Sequence, residues 1–140
     1  MESLAQQFDA SGCSRDEIAE VEADQGVRLP AMYRQFLRLA GRDCSARLGG
    51  SAIGYPDVLG ARDAALDLYG EHDDGTFPGD AVVIGLDGRR FWFLRATDGP
   101  DPSVWLYCDG PGGTPRPEIV AASLVDMLEW TLQKGQLPGL

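Results

Sequence analysis

The sequence predicts an α+β fold: an antiparallel β-sheet meander flanked by N-terminal and C-terminal helices, with the helices on one face. Helix-period apolar stripes with capping signals occupy the first half of the chain and its C-terminal end. Short apolar runs separated by turn signals fill the region between them. Helices and strands that follow each other in blocks, rather than alternating, favour an antiparallel sheet over a parallel one.

Capping signals place the first helix at 14–25. Ser14 and Glu17 form the S-x-x-E capping box, in which each side chain satisfies a backbone N–H of the other residue. Gly26 follows the last turn, where a left-handed residue ends a helix at little cost.

A second helix is predicted to begin at Pro30 and to end at Gly41. Proline is tolerated at the first helical position, because the N–H group that it lacks would be unpaired there. The apolar residues of this segment recur at helical spacing and form one stripe: Tyr33, Phe36, Leu37 and Ala40. A third helix is predicted at 57–69, with Asp57 as its cap and Leu59, Leu66 and Tyr69 facing inward.

Strands are predicted at 81–86, 89–95 and 103–108. Asp87-Gly88 separates the first two runs, and this dipeptide between apolar runs indicates a two-residue hairpin loop. The glycine- and proline-rich segment 97–102 separates the second and third strands.

The last helix is predicted to begin after Ser123, with Asp126 in the position of a capping-box partner, and to end at Gly135. Its predicted apolar stripe is Leu124, Val125, Leu128 and Leu132. Met127 and Trp130 lie beside this stripe, so they are either rim packing or an exposed contact patch.

Composition excludes several classes of protein. The 140 residues carry a formal net charge of −10, which disfavours binding to nucleic acid and to anionic membrane surfaces. No apolar run reaches the ~20 residues of a membrane span, and the N-terminus lacks the apolar region of a signal peptide. The odd number of cysteines and the absence of C-x-x-C spacing favour a cytoplasmic location with reduced thiols.

Residues with catalytic potential are sparse. His72 is the only histidine, and its surroundings lack metal-binding spacing, so it is interpreted as a surface-loop residue. The G-x-S-x-G motif is absent and no glycine-rich loop has phosphate-binding context. We therefore expect no enzymatic activity and no catalytic, cofactor or metal site.

Acidic residues dominate the middle of the chain. Residues 63–88 contain seven Asp or Glu residues and no Lys or Arg. Such a segment is either a solvated face that maintains solubility or a docking surface for a basic partner.

The helical region resembles the opening signature of the SUKH superfamily, the Smi/Knr-like domain. The pattern "E-x-x-x-G-x-x-L-P" is present at 22–30, and "Y-x-x-F-L-x-x-x-G" follows at 33–41. The strands at 82–86, 89–94 and 104–107 resemble the family's sheet, and 122–128 resembles its "A-S-F-x-x-F-L" closing helix, with leucine and methionine in place of the phenylalanines. The resemblance covers about 14–134 and implies one domain over 1–140.

The resemblance implies a protein-binding module, most often a bacterial immunity protein that neutralises a cognate toxin. Such toxins are often nucleases, which tend to be basic, so the resemblance favours the docking interpretation of the acidic segment. The partner-binding residues expected on that basis are Asp67, Glu71, Asp73, Asp74 and Asp80. The alternative is an intracellular regulator or scaffold with a non-toxin partner, and in either case we expect a monomer or a weak dimer.

Overall fold

The computed structural model describes residues 1–8, 11–42, 44, 52–70, 77–108 and 117–139. Within them the helices are α1 Glu2–Gln6, α2 Arg15–Gln25, α3 Ala31–Ala40, α4 Ala61–Gly70 and α5 Leu124–Lys134. The strands are β1 Ala52–Ile53, β2 Ala81–Asp87, β3 Arg90–Arg95, β4 Val104–Cys108 and β5 Glu118–Ala121.

The strands form one sheet in the order β1-β2-β3-β4-β5, and each is antiparallel to its neighbour. The predicted α+β class and the antiparallel meander with helices at both ends of the chain are therefore confirmed. Three short elements, α1, β1 and β5, were not predicted. Each has five residues or fewer, too short for a repeating apolar pattern to identify it.

The local signals of α2 and α3 act largely as predicted. The Ser14 hydroxyl accepts from the Glu17 N–H at 3.1 Å, and the Glu17 carboxylate accepts from the Ser14 N–H at 2.8 Å. Gly26 ends α2 with a φ of 73°, in the left-handed region. Pro30 is the residue before the first turn of α3 rather than its first residue.

Two predicted boundaries are shifted. Helix α4 begins at Ala61 and not near Asp57, because Gly60 has a φ of +82° and interrupts any helix begun earlier. Leu66, predicted to face inward, is 37% exposed. In the β2–β3 hairpin, Asp87 pairs with Arg90, so the two-residue loop is Gly88-Arg89, one residue later than predicted.

The buried face of helix α5 overlaps the predicted stripe at Leu124 and Leu128, whereas Val125 and Leu132 are only partly buried. Its buried residues are Leu124, Met127, Leu128 and Thr131. Met127 is fully buried, so of the two interpretations given for it the exposed contact patch is excluded. Trp130 is 45% exposed, and the Lys134 ammonium group lies 5.3 Å from the centre of its ring.

Both faces of the sheet are covered, which corrects the prediction of helices on one face only. Phe91 and Trp92 are adjacent in β3 and therefore point to opposite faces, yet both are buried. On one face Phe91 stacks with Tyr107, which contacts Tyr69 of α4 at a ring-centre distance of 5.1 Å. On the other face the Trp92 indole N–H donates to the Pro138 carbonyl at 2.9 Å.

Helix α2 is attached to the sheet by one buried amide. Among the described residues β1 pairs with β2 at Gly85 and Leu86, so toward Val83 the pairing ends at Gly85. The Gln25 side chain continues it: its Nε2 donates to the Val83 carbonyl at 2.7 Å, and its Oε1 accepts from the Val83 N–H at 3.0 Å. Since Gln25 is fully buried, the amide replaces a strand where water has no access.

Asp80 connects the start of β2 to the end of β3. Its carboxylate accepts from Arg95 Nε at 2.6 Å, from the Thr97 hydroxyl at 2.6 Å and from the Thr97 N–H at 3.2 Å. Burial raises the pKa of Asp80, but the hydrogen bonds from Thr97 and Arg95 outweigh this effect and hold the pKa below its ordinary value.

We expect Gln25→Leu to destabilise the protein by about 3 kcal/mol, because an unpaired buried donor or acceptor costs roughly 1–3 kcal/mol and the substitution leaves two on Val83. The measurement is the free energy of unfolding in urea. Gln133→Leu makes the same chemical change at an exposed position of α5 and serves as the control. Equal losses in the two variants would show that the Gln25 amide has no special role.

The Asp80 contacts predict a pH-dependent contribution to stability. Because the folded pKa is lowered, the contribution is complete above the unfolded pKa of about 3.9 and is lost as pH falls through the folded pKa. We expect the difference in unfolding free energy between wild type and Asp80→Asn to be largest near neutral pH and to shrink on acidification below about pH 4. Asp67→Asn removes a charge from an exposed aspartate and should show no such trend; the same trend in both variants would contradict the assignment.

Candidate partner-binding surface

The structure describes two of the five residues predicted to bind a partner. Asp67 is exposed on α4. Asp80 is half-buried, and its carboxylate is already held by Arg95 and Thr97. Glu71, Asp73 and Asp74 lie outside the described residues, as does His72.

Helix α4 presents two exposed carboxylates one turn apart. Asp63 and Asp67 have i, i+4 spacing, which places them on one side of the helix. The residue before them, Arg62, is directed toward the sheet: its Nε donates to the Ala81 carbonyl and its Nη2 to the Gly79 carbonyl, both at 3.1 Å. Its guanidinium group is therefore held by backbone carbonyls rather than by these two carboxylates.

Helix α2 contributes a second row of exposed acidic residues, and none of them is among the five predicted partner-binding residues. Asp16, Glu20 and Asp24 recur at i, i+4 and i+8 and are all exposed. The same spacing is present in the sequence, but the count of acidic residues in 63–88 favours a site in that segment. The feature of the sequence that indicates this row is the recurrence of acidic residues every four positions along a helix with a capping box.

The other two acids of α2, Glu22 and Glu17, form ion pairs with arginines. One arginine lies in α3 and the other follows that helix. Glu22 accepts from Arg34 Nη2 at 2.8 Å and from the Leu29 N–H at 2.9 Å. Glu17 forms an ion pair with Arg42 at 3.3 Å. The helix thus turns one set of carboxylates toward cations and leaves the other set facing solvent.

Two hydrogen bonds connect the α2 row to the segment that leads into α4. The Tyr55 hydroxyl donates to Glu20 Oε1 at 2.9 Å, and the Gly60 N–H donates to Asp24 Oδ2 at 2.9 Å. The hydrogen bond to Glu20 raises the pKa of Tyr55, so its hydroxyl stays protonated as a donor. The α2 row therefore ends beside Gly60, the residue that precedes α4.

We use the term acidic face for the exposed carboxylates of these two helices: Asp16, Glu20, Asp24, Asp63 and Asp67. Carboxylates only accept hydrogen bonds when ionised, so the chemistry of this face suits lysine and arginine side chains of another molecule. Three or more His, Cys, Asp or Glu residues arranged to hold a metal ion are not found in the described ranges.

The exposure of the thiols and the length of the helices bear on other kinds of site. Cys13 and Cys44 are buried, whereas Cys108 is exposed at the end of β4. None of the helices in the described ranges has the length and apolar character that crossing a bilayer requires.

Comparison with curated proteins finds no match to this sequence. The family described as SMI1 / KNR4 family (SUKH-1) matches residues 12–130. The matched range begins just before α2, includes the complete sheet and extends into α5. It also contains the two motifs at 22–30 and 33–41 that suggested the SUKH superfamily. The chain belongs to the SMI1 / KNR4 family (SUKH-1).

Proposed function

We propose that this protein is a non-enzymatic binding module of the immunity type, which neutralises a cognate toxin by direct docking. The observation that carries the proposal is the acidic face on α2 and α4. Membership of the SMI1 / KNR4 family is consistent with protein binding of this type. The cytoplasm is the compartment in which such a protein would meet an incoming toxin.

Charge complementarity defines the partner as a basic domain, such as a nuclease that itself binds nucleic acid. A net charge of −10 would accelerate encounter with such a domain and would repel acidic competitors. The protein would then act either by covering the active site or by blocking the surface that receives the nucleic acid.

The predicted residues contribute unequally to this proposal. Asp67 is available on the acidic face, and Glu71, Asp73 and Asp74 follow α4 in the sequence and would extend its charge. Asp80 adds less, because Arg95 neutralises its carboxylate within the molecule. The acids of α2 therefore join the proposed docking surface and take a larger part in it than Asp80.

The first test is capture of the partner with tagged protein as bait, followed by mass spectrometry at low and high salt. We expect one stoichiometric basic protein that is lost at high salt, because screening weakens exposed charge pairs. A partner retained at high salt through apolar contacts would favour the regulator or scaffold interpretation and would direct attention to Trp130.

Charge reversal on α4 tests the surface. We expect Asp63→Lys with Asp67→Lys to weaken binding of the captured partner by about tenfold at low salt, since each exposed ion pair contributes roughly 0.2–1 kcal/mol and reversal adds repulsion. The dependence of affinity on salt concentration should also become shallower. Isothermal titration calorimetry at several salt concentrations measures both quantities.

The matched control is Glu129→Lys with Asp126→Lys, which makes the same charge change on exposed residues of α5. Thermal melting checks that each variant is folded. Unchanged affinity and salt dependence in the α4 variant, or an equal loss in the α5 variant, would place the docking surface elsewhere. The pair Asp73→Lys with Asp74→Lys extends the same test to the residues after α4.

A further inference from the structure

A groove of about 680 Å³ lies between the start of α2 and the exposed side of α3. Three arginines line it: Arg15 from the first turn of α2, and Arg34 and Arg38 from α3. Ile18 and Cys13 supply apolar lining beside them. A cluster of guanidinium groups is unexpected in a chain with a net charge of −10, and the acidic face does not account for it.

Most of the positive charge in this groove is not neutralised from within the described part of the chain. The side chains of Arg15 and Arg38 are exposed and make no ion pair or hydrogen bond with a residue in the described ranges. Arg34 is bound to Glu22, but its side chain remains 40% exposed. Arg34 and Arg38 are one helical turn apart, so their guanidinium groups can engage neighbouring anionic groups on one ligand.

Backbone contacts fix the wall of the groove. The Cys13 N–H donates to the Leu37 carbonyl at 2.8 Å, and the Arg42 N–H donates to the Ser11 carbonyl at 2.9 Å. Between them Gly12 lies directly against the Arg38 carbonyl, and a Cβ atom at this position would overlap that oxygen. The segment before α2 is therefore held on the C-terminal half of α3, which positions the groove before any ligand binds.

We propose that this arginine groove binds an acidic peptide segment of a protein partner. Guanidinium groups bind carboxylates through paired, charge-assisted hydrogen bonds, and the aliphatic lining suits the side-chain stems of an extended peptide. The open volume exceeds what a single phosphate or carboxylate group fills, so the groove suits a chain of several residues. At physiological salt the Debye length is about 8 Å, so carboxylates elsewhere on the molecule are screened from the groove.

The proposal does not depend on the toxin partner of the acidic face and is tested without it. The probe is a fluorescein-labelled peptide of eight glutamates, with a peptide of eight glutamines as the neutral reference, measured by fluorescence anisotropy at physiological salt, where the Debye length is about 8 Å. We expect the glutamate peptide alone to bind wild type. Arg15→Ala with Arg38→Ala should weaken it by about tenfold, because each exposed ion pair contributes up to roughly 1 kcal/mol.

The control variant is Arg28→Ala with Arg90→Ala, which removes the same charge outside the groove and should bind the glutamate peptide as wild type does. All the altered arginines lie at least partly exposed, and thermal melting verifies that the variants fold. Failure of the glutamate peptide to bind better than the glutamine peptide, or equal losses in the two variants, would overturn the proposal. A single-stranded DNA octamer that binds as tightly and depends on Arg15 and Arg38 in the same way would replace the acidic peptide with a nucleic acid as the ligand.

Discussion

The hydrogen bonds between Gln25 and Val83 are the constraint on which the arrangement of helices around the sheet depends. β1 is only two residues long, so it leaves part of the β2 edge without a strand. A buried backbone edge without partners would be costly, and the Gln25 amide satisfies both groups of Val83 at once. These hydrogen bonds hold the last turn of α2 against the edge of the sheet, and this contact helps to fix the direction of the helix axis.

This placement of α2 separates two surfaces of opposite charge. Asp16, Glu20 and Asp24 face solvent and continue toward α4 through the Asp24 contact with Gly60. On the side facing α3, Glu22 pairs with Arg34, and the start of the helix borders the arginine groove. A single helix therefore contributes to both surfaces: the acidic face that we propose for a basic partner and the arginine groove that we propose for an acidic peptide segment.

The candidate site was only partly predictable, because charge in sequence and charge on a surface are different quantities. The segment 63–88 includes most of α4, where Asp67 is exposed. The same count includes Asp80, whose carboxylate is engaged by Arg95, fifteen residues later in the chain. It omits the row on α2, which lies beside the residue before α4 because Asp24 binds the Gly60 N–H across the fold.

The sequence by itself determined the helix caps, the order of the central strands and the α+β class, since these depend on interactions between residues close in the chain. Ser14 with Glu17, and Gly26, act through contacts within a few residues, so their types at that spacing suffice. Only the tertiary structure decided that Gln25 would complete a strand edge and that both faces of the sheet would be covered. Those outcomes rest on contacts between residues far apart in the chain (58 positions separate Gln25 from Val83), and local residue patterns do not encode which distant groups meet.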